Sequence, residues 1–249
     1  MEGPTYVALS AQVALQKQLD VVANNIANIN TVGYKGDREL FQSYVQPLAV
    51  PGGSVSFVQD RATYIDRKEG EVNLTGNPWD VAIKGDGFLG VSSGGDTLYT
   101  RDGHLQIGQD GTLLTSGGLP VVGPDKQPIQ VPPGASSPEI KADGSISIQI
   151  NGKPQQIGQI GMFRPSDPLN MRKSGNSLFS AMPNGMLPIE SGDPGASIVQ
   201  GGVEGSTVQP VAEIANLTEL SRAYDRLQTL LSDDNDREQK MIQTLGQPA

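Results

Sequence analysis

The chain has 249 residues, a formal net charge of −9 and no cysteine. Its 18 lysine and arginine residues form no basic cluster, so binding to nucleic acid or anionic lipid is disfavoured. The absence of cysteine excludes disulfides, thiolate metal sites and a cysteine nucleophile.

The first residues, MEGPTYVALS, lack the basic and apolar regions of a cleaved secretory signal. No apolar run is long enough to cross a bilayer, so we expect no membrane insertion. We therefore expect the chain to stay in the cytoplasm or to leave it by an export route that does not depend on a cleaved signal peptide.

A helix is predicted at the N-terminal end, because neither glycine nor proline occurs from Tyr6 to about Asn30. Apolar residues recur there at alternating steps of four and three, which is the spacing of a heptad seam. Gly33 supplies a stop signal after this run. The seam consists of Leu15, Leu19, Val22, Ile26 and Ile29.

The polar face of this helix carries amides, at Asn24, Asn25 and Asn28, where lysine and glutamate are more usual. An amide offers a donor and an acceptor that can be satisfied across a crowded, partly dry interface without the desolvation cost of a charge. The alternative is a solvated face near a fraying helix end, where asparagine is common. The residues alone do not separate these two interpretations.

A second helix is predicted from Pro210, which is tolerated in a first helical turn. Its apolar positions follow the same rhythm of three and four, and the polar stretch SDDND interrupts it, so the helix there is expected to bend, fray or face solvent. The seam residues are Leu217, Leu220, Tyr224, Leu227 and Leu231.

Between the helices the apolar pattern changes to a period of two, and 31 glycines and 18 prolines in the chain favour short strands and turns. We predict a β-rich domain over residues 76–195 and extended connectors over 36–75 and 196–209. The segment from Pro120 to Pro138 is expected to be loop or edge strand. Tight turns are expected at four Asp-Gly pairs, which begin at Asp86, Asp102, Asp110 and Asp143.

Residues with catalytic potential have simpler structural roles in this sequence. His104 is the single histidine and lies in a strand-like run, which is typical of a surface or satisfied residue. The four Asp-Gly carboxylates fit turns better than an acid/base pair, and GDG at Gly85–Gly87 fits a hairpin better than a phosphate loop. Trp79 is expected to be a core or connector anchor, and Lys35 and Arg38 to be solvated. We therefore predict no catalytic, cofactor-binding or metal-binding residue.

The two terminal helices are predicted to be marginal by themselves. Burying five apolar side chains of the first seam contributes about 1.5–3 kcal/mol each, whereas ordering the backbone costs about 1–2 kcal/mol per residue. Pairing the two ends still leaves apolar residues such as Val13, Val21, Ile214 and Leu230 without a partner. We expect the helices to acquire full order only among other helices, as in an assembly.

Three stretches in this order resemble the bacterial flagellar rod and hook axial proteins, across nearly the whole chain. LDVVANNIANINTVGYK is similar to the N-terminal rod motif of that family. TGNPWDVAIKGDGFLGV, followed by YTRDGHLQIGQDGTLLT, resembles its connector and β-domain signature, and GGVEGSTVQPVAEIANLTELSRAYDRLQTLL resembles its C-terminal signature. Two residues depart from the family pattern: Trp79 replaces a usual leucine and Thr207 a usual asparagine.

The resemblance implies a mainly β central domain with N- and C-terminal helices that form a coiled-coil-like terminal domain. Residues 1–35 and 210–249 would form this inner assembly domain around a central channel, with the β domain outside it. The residues that match the N-terminal motif of the family are expected to serve assembly and folding; they are Asn24, Asn25, Asn28, Thr31, Gly33 and Lys35. The residues that match the other two motifs are expected to have the same roles; they are Asp80, Ala82, Ile83, Gly85, Gly87, Phe88, Glu204, Ser206, Arg222 and Tyr224.

The function implied by the resemblance is that of a structural axial subunit of the flagellar basal-body rod, exported unfolded through the type III apparatus and assembled in the periplasm. The expected partners are copies of itself and other proximal and distal rod proteins. YVALSAQVALQKQLD favours a proximal-rod member, since distal-rod members typically have Gly-Met where this chain has Leu9 and Ser10. The alternatives are a distal-rod member or, from another class, an enzyme or carbohydrate-binding module with helical oligomerisation ends.

Overall fold

A computed structural model describes residues 2–47, 54–66, 68–150, 153–167, 171–175, 177–182, 185–190, 192–193 and 195–245. These residues form two helices, α1 (Glu2–Ala27) and α2 (Pro210–Leu245), with strands between them. The predicted mainly β chain with a helix at each end is confirmed. The strands are β1 (Asp37–Pro47), β2 (Ser54–Ile65), β3 (Val72–Leu74), β4 (Val81–Gly85), β5 (Phe88–Ser93), β6 (Asp96–Thr100), β7 (Leu105–Ile107), β8 (Leu113–Thr115), β9 (Ser136–Ile140), β10 (Ser145–Ile150), β11 (Lys153–Gln159), β12 (Met162–Pro165), β13 (Met171–Lys173), β14 (Leu178–Ala181), β15 (Met186–Pro188), β16 (Ala196–Gln200) and β17 (Gly202–Glu204).

The chain divides into two compact units. The helical unit contains α1, β1, β2 and α2, and the β unit contains Asn28–Gly36 and Asp66–Thr207. The segment 36–75, which the sequence predicts to be an extended connector, therefore contributes β1 and β2 to the helical unit and β3 to the β unit.

In the helical unit, α1 packs against α2 and against the hairpin of β1 and β2. The hairpin is antiparallel with a bulge between Leu40 and Phe41. The amide of Gln12 on α1 donates a hydrogen bond of 3.2 Å to the hydroxyl of Tyr224 on α2. The two predicted helices therefore pack side by side, with a polar contact beside the apolar one.

The end of α1 differs in detail from the prediction, whereas at SDDND one of the three expected outcomes, a helix that faces solvent, is confirmed. The helix α1 ends at Ala27, so Gly33 is not its stop signal and has another role in the β unit. The helix α2 continues without a break through SDDND, where Asp233 and Asn235 are exposed. A continuous helix with a solvated segment costs little, because each backbone hydrogen bond is kept and the charges stay in water.

The β unit consists of antiparallel sheets around one apolar core. The largest sheet has the strand order β13, β14, β6, β5, β12, β15, and a second has the order β11, β10, β9. In SISIQI of β10, Ile146 and Ile148 point into the core and the alternate residues do not, as the period of two predicts. The prediction of loop or edge strand near Pro138 is also confirmed, because β9 lies at the edge of its sheet.

Two of the four Asp-Gly pairs connect hairpins. Asp110 lies between the paired strands β7 and β8, and Asp143 between β9 and β10. In both turns the carboxylate accepts hydrogen bonds from the backbone N–H and the hydroxyl two residues later, at Thr112 or Ser145. The glycine that follows has a positive φ in each case.

The predicted hairpin at GDG is wrong. β4 and β5, which flank Asp86, lie in different sheets, since β4 pairs with β16 and β5 pairs with β6 and β12. Asp102 likewise separates strands of different sheets. The structure has a bend at Asp86 and neither a turn nor a bend at Asp102, so the expected tight turns are not formed where the chain passes from one sheet to another.

The hairpin turn at Asp110 yields a test by titration. The Thr112 hydroxyl and the Thr112 N–H hold the pKa of the Asp110 carboxyl below its ordinary value of 3.8. A lowered carboxyl pKa stabilises the folded state above pH 3.8, and this contribution is lost as the pH falls through the folded-state pKa. In Thr112→Val we expect the pKa of Asp110 to rise, measured by NMR titration. In the control Thr97→Val the pKa of Asp110 should not change, and an unchanged value in Thr112→Val would contradict this assignment.

Candidate assembly interface and buried ion cluster

The predicted seam residues lie on the helices as expected but are only partly covered within the chain. In α1, Val22 is buried, and Leu15, Leu19 and Ile26 are half-buried. Ile29 is half-buried just beyond the end of α1. In α2 every predicted seam residue is half-buried: Leu217, Leu220, Tyr224, Leu227 and Leu231.

Further apolar side chains of the helical unit are open to solvent. Ile214 and Leu230 on α2 are 55 % and 64 % exposed, and Val13 on α1 is exposed to a similar extent. Among the described side chains of α2, Glu213 alone is buried. Burial of apolar surface contributes about 25 cal/mol per Å², so these helices can gain considerable stability from a partner that covers them.

The three amides predicted for the first helix have different environments, and Asn28 lies just beyond the end of α1. Asn25 is buried, where its side chain accepts a hydrogen bond of 2.9 Å from the N–H of Asp37 and donates one of 3.0 Å to the carbonyl of the same residue. Asn28 accepts a hydrogen bond from the hydroxyl of Thr31, and Asn24 is exposed and donates to the carbonyl of Asp20. The pair of bonds from Asn25 fixes the start of β1 against α1, a role within the chain that its sequence pattern does not reveal.

In the β unit, a cluster of three charged side chains is almost fully buried. Glu204 lies between Lys35 and Arg101, with N to O distances of 2.7 and 2.9 Å, and the side chains are about 1 % exposed. The carboxylate also accepts a hydrogen bond of 2.7 Å from the N–H of Gly70. We call Lys35, Arg101 and Glu204 the ion cluster.

The two cations of the ion cluster have further partners. The ammonium of Lys35 donates to the carbonyl of Lys68, and Arg101 donates to the carbonyls of Ile83 and Gly85. The guanidinium of Arg101 also lies 4.9 Å from the centroid of the Phe88 ring. These bonds join the segment after α1 to a sheet edge and to the strand that ends before α2.

The expected solvated position of Lys35 is wrong. Its burial lowers the pKa of Lys35 below the ordinary value of 10.5, and the neighbouring carboxylate of Glu204 opposes that shift. A buried ammonium is tolerated here because a carboxylate and a carbonyl both bind it. Arg38, the other residue of the predicted basic pair, is exposed as expected.

Two glycines of the family motifs have positions that no larger residue could take. A β-carbon at Gly33, whose φ is +66°, would lie 2.3 Å from the backbone carbon of Arg101. A β-carbon at Gly85, whose φ is +91°, would lie 2.2 Å from the carbonyl oxygen of Gly195. Gly33 also donates its N–H to the carbonyl of Glu204. Both positions therefore serve the close backbone contacts around the ion cluster.

The remaining motif residues are structural. The buried carboxylate of Asp80 accepts hydrogen bonds from Thr75 and Asn77 and lies 3.0 Å from the ring nitrogen Nδ1 of His104, which is exposed. Trp79 packs against the apolar core, as predicted for an anchor. Two further motif residues, Ile83 and Phe88, are buried in the interior of the β unit. Gly87 is buried next to Ile83, and Ser206 is half-buried.

Thr207, which departs from the family pattern, has a defined contact. Its hydroxyl accepts a hydrogen bond of 2.9 Å from the N–H of Gly36, and its own N–H donates to the carbonyl of Tyr34. Thr207 thus holds the segment that follows α1 alongside the segment that precedes α2. Arg222, by contrast, is exposed on α2.

The described residues contain no group of three or more histidine, aspartate or glutamate side chains that is arranged to bind a metal ion. Neither α1 nor α2, over its described residues, has a stretch apolar enough to cross a membrane.

Three family models match the chain. They are the flagella basal body rod protein (residues 6–35), the flagellar hook protein FlgE/F/G D1 domain (82–148) and the flagellar basal body rod FlgEFG protein C-terminal (199–244). The chain is 34 % identical to the flagellar basal-body rod proteins FlgF of Mesorhizobium japonicum and Caulobacter vibrioides, over 99 % of each chain. It is 28 % identical to the FlgG protein of Bacillus subtilis, over 95 % of this chain and 97 % of that protein.

Removing the central carboxylate tests the ion cluster. In Glu204→Gln the two cations remain buried without a counter-charge, so we expect unfolding of the β unit to become easier by about 3–5 kcal/mol. Trp79, the one tryptophan of the chain, packs on the β-unit core, so its fluorescence in urea reports this transition.

The control for this measurement is Asp193→Asn. Its carboxylate pairs with Arg164 at 2.7 Å, but both side chains are about one-third exposed. A surface pair contributes about 0–1 kcal/mol. Equal effects of the two substitutions would show that the ion cluster has no special role in stability.

Proposed function

The chain belongs to the flagellar basal-body rod protein family and is a structural subunit of the rod in the flagellar basal body; we propose that it assembles through the partly covered apolar faces of α1 and α2. The observation that carries this proposal is the exposure of large apolar side chains such as Ile214 and Leu230 on both sides of a half-buried seam. Exposed apolar surface of this kind marks an interaction site.

We further propose that the chain occupies the proximal rod, as a counterpart of the FlgF proteins. Identity of 34 % to FlgF proteins over 99 % of this chain, compared with 28–32 % to FlgG proteins over 88–95 % of it, supports that choice over a distal-rod role. The partners would be other rod proteins and further copies of the chain, arranged around a central export channel so that the rod transmits torque.

The route of assembly is part of the same proposal. The subunit would pass unfolded through the type III export apparatus and fold in the periplasm. A chain with no cysteine forms no disulfide in that oxidising compartment, which is compatible with this route. The proposed role is structural and not enzymatic, because the motif carboxylates Asp80, Asp110 and Asp143 are engaged in loops and turns and Glu204 in the ion cluster.

The role of the apolar faces is tested with the double variant Ile214→Asp/Leu230→Asp. Because both side chains are exposed in the isolated chain, we expect the Trp79 unfolding transition to stay within about 0.5 kcal/mol of the parent value. Incorporation into purified basal bodies and motility should be lost. The measurements are immunoblots of basal bodies and swimming assays in a strain that carries only this copy of the gene.

A matched control places aspartates at exposed apolar residues of the β unit, Met182 and Leu187, which are each 55 % exposed. This control should still enter the rod if the helical faces carry assembly. Normal rod incorporation of Ile214→Asp/Leu230→Asp would refute the proposed role of α2.

The predicted marginal order of the helices is tested by hydrogen exchange. The side chains of α2 are largely exposed, so local opening loses little packing, whereas β10 is buried within a sheet. In a dilute monomer we expect α2 to exchange much faster than β10, and in isolated rods to become protected. Mass spectrometry of both samples provides the measurement, and equal protection of α2 and β10 in the monomer would argue against assembly-coupled ordering.

A further inference from the structure

The last stretch of the β unit, residues 196–207, contains β16 and β17, and we call it the closing segment. Each residue of β16 (Ala196–Gln200) pairs with a residue of β4, and β17 pairs in the same antiparallel manner with β3. In the part of the chain that the structure describes, neither β4 nor β3 belongs to a sheet with any other strand. The closing segment therefore supplies a strand partner to two strands that lie much earlier in the chain.

The loss of β16 would be costly because β4 lies in the apolar core. Val81, Ala82 and Ile83 on β4 are at most 2 % exposed. A buried backbone N–H or C=O group without a partner costs as much free energy as a lost hydrogen bond, and the ladder to β16 supplies partners along β4. The closing segment also fills the core itself, through the buried side chains of Ala196 and Ile198. Without this segment, β4 would have neither its ladder nor its complete packing.

The closing segment is also bonded to the sheet of β9 and β10. The side-chain amide of Gln200 donates a hydrogen bond of 2.7 Å to the carbonyl of Pro138 in β9. Its oxygen accepts one of 3.1 Å from the N–H of Ile140 in the same strand. The N–H of Ile198 donates one of 2.9 Å to the carbonyl of Ala142, between β9 and β10. The segment thus connects β4 to a sheet to which neither of them belongs.

The anion of the ion cluster comes from the closing segment, and both cations precede it in the chain. Glu204 follows Lys35 by 169 residues and Arg101 by 103 residues. Until Glu204 is in place, closing the β unit would bury two cations without their carboxylate. An unpaired charge is strongly destabilising in a protein interior, because its hydration is lost and nothing replaces it. The same segment, at Thr207, also holds the N–H of Gly36 by a hydrogen bond of 2.9 Å.

We propose that the closing segment is an obligatory part of the folded β unit, so that residues 66–195 do not keep their structure while residues 196–207 are detached. A buried ladder, core side chains and the counter-charge of two cations all depend on this one segment. A chain leaves the ribosome with its N-terminal end first, so the β unit stays open until most of the chain has been made. The benefit rests on the proposed function, since a subunit that passes unfolded through an export apparatus gains from a β unit that closes late.

Native-state hydrogen exchange of the full chain tests this proposal, with NMR detection of single amides at increasing urea concentration. Two reporters lie in the closing segment, where the N–H groups of Ile198 and Gly201 donate to backbone carbonyls. Two lie elsewhere in the β unit, where those of the buried residues Leu113 and Val121 do so. If the closing segment opens only with the whole unit, all four exchange through the same opening. We expect the four to share one dependence on urea, with protection factors within about threefold of one another.

Substitution in the ion cluster sharpens the test. Glu204→Gln leaves both buried cations without a counter-charge, so we expect exchange at all four reporters to accelerate by the same factor, about a hundredfold or more. The milder Thr207→Val removes the acceptor of the Gly36 N–H and should accelerate all four by about tenfold. It gives the same comparison if Glu204→Gln leaves no folded β unit. The control Asp193→Asn changes a carboxylate just before the closing segment, in a partly exposed pair with Arg164, and should alter exchange by less than about threefold.

A detachable closing segment is the result that would overturn the proposal. Exchange of Ile198 and Gly201 more than about threefold faster than that of Leu113 and Val121, with a weaker dependence on urea, would show that the segment opens while the remainder stays folded. Acceleration confined to Ile198 and Gly201 in Glu204→Gln would show the same. These measurements use the isolated chain. Absence of the unaltered chain from purified basal bodies would instead refute the proposed function and leave the folding role of the segment standing.

Discussion

The β unit depends on one carboxylate that neutralises two buried cations. Glu204 binds Lys35 and Arg101 and also accepts a hydrogen bond from the N–H of Gly70, so its carboxylate oxygens have partners although the side chain is almost fully buried. Two cations at one anion leave a net positive charge, which the carbonyls of Lys68, Ile83 and Gly85 compensate as acceptors. Each partner is indispensable because removing any one leaves another buried polar group unsatisfied.

This arrangement explains why the family motifs cluster where they do. Gly33 and Lys35 follow α1 in the chain, Arg101 follows β6, and Glu204 ends β17. The ion cluster brings these distant segments together, and Gly33 approaches the backbone of Arg101 so closely that a side chain is excluded. The three motifs are thus parts of a single site, whose directional bonds fix the path of the chain between α1 and α2.

The sequence predicts those features that depend on neighbours along the chain. The heptad spacing of Leu15 to Ile29 and of Leu217 to Leu231 gives both helices, and Asp-Gly followed by threonine or serine gives two hairpin turns. Lys35 illustrates what the sequence does not contain. Its partner Glu204 lies 169 residues away, and a lysine beside one exposed arginine has the local pattern of a solvated residue. The same limit applies to Asn25, whose pattern is compatible with an interface or a solvated face, while its hydrogen bonds hold Asp37 of its own chain.

The two units illustrate a division between directional and nondirectional interactions. The β unit has an apolar core and pairs its buried charges internally, although single apolar side chains such as Leu74 and Met182 are exposed. The helical unit leaves Ile214, Leu230 and the seam of α2 partly in water. Apolar surface is nondirectional and by itself permits neighbouring helices to slide along each other, so an ordered array needs polar contacts that fix the register.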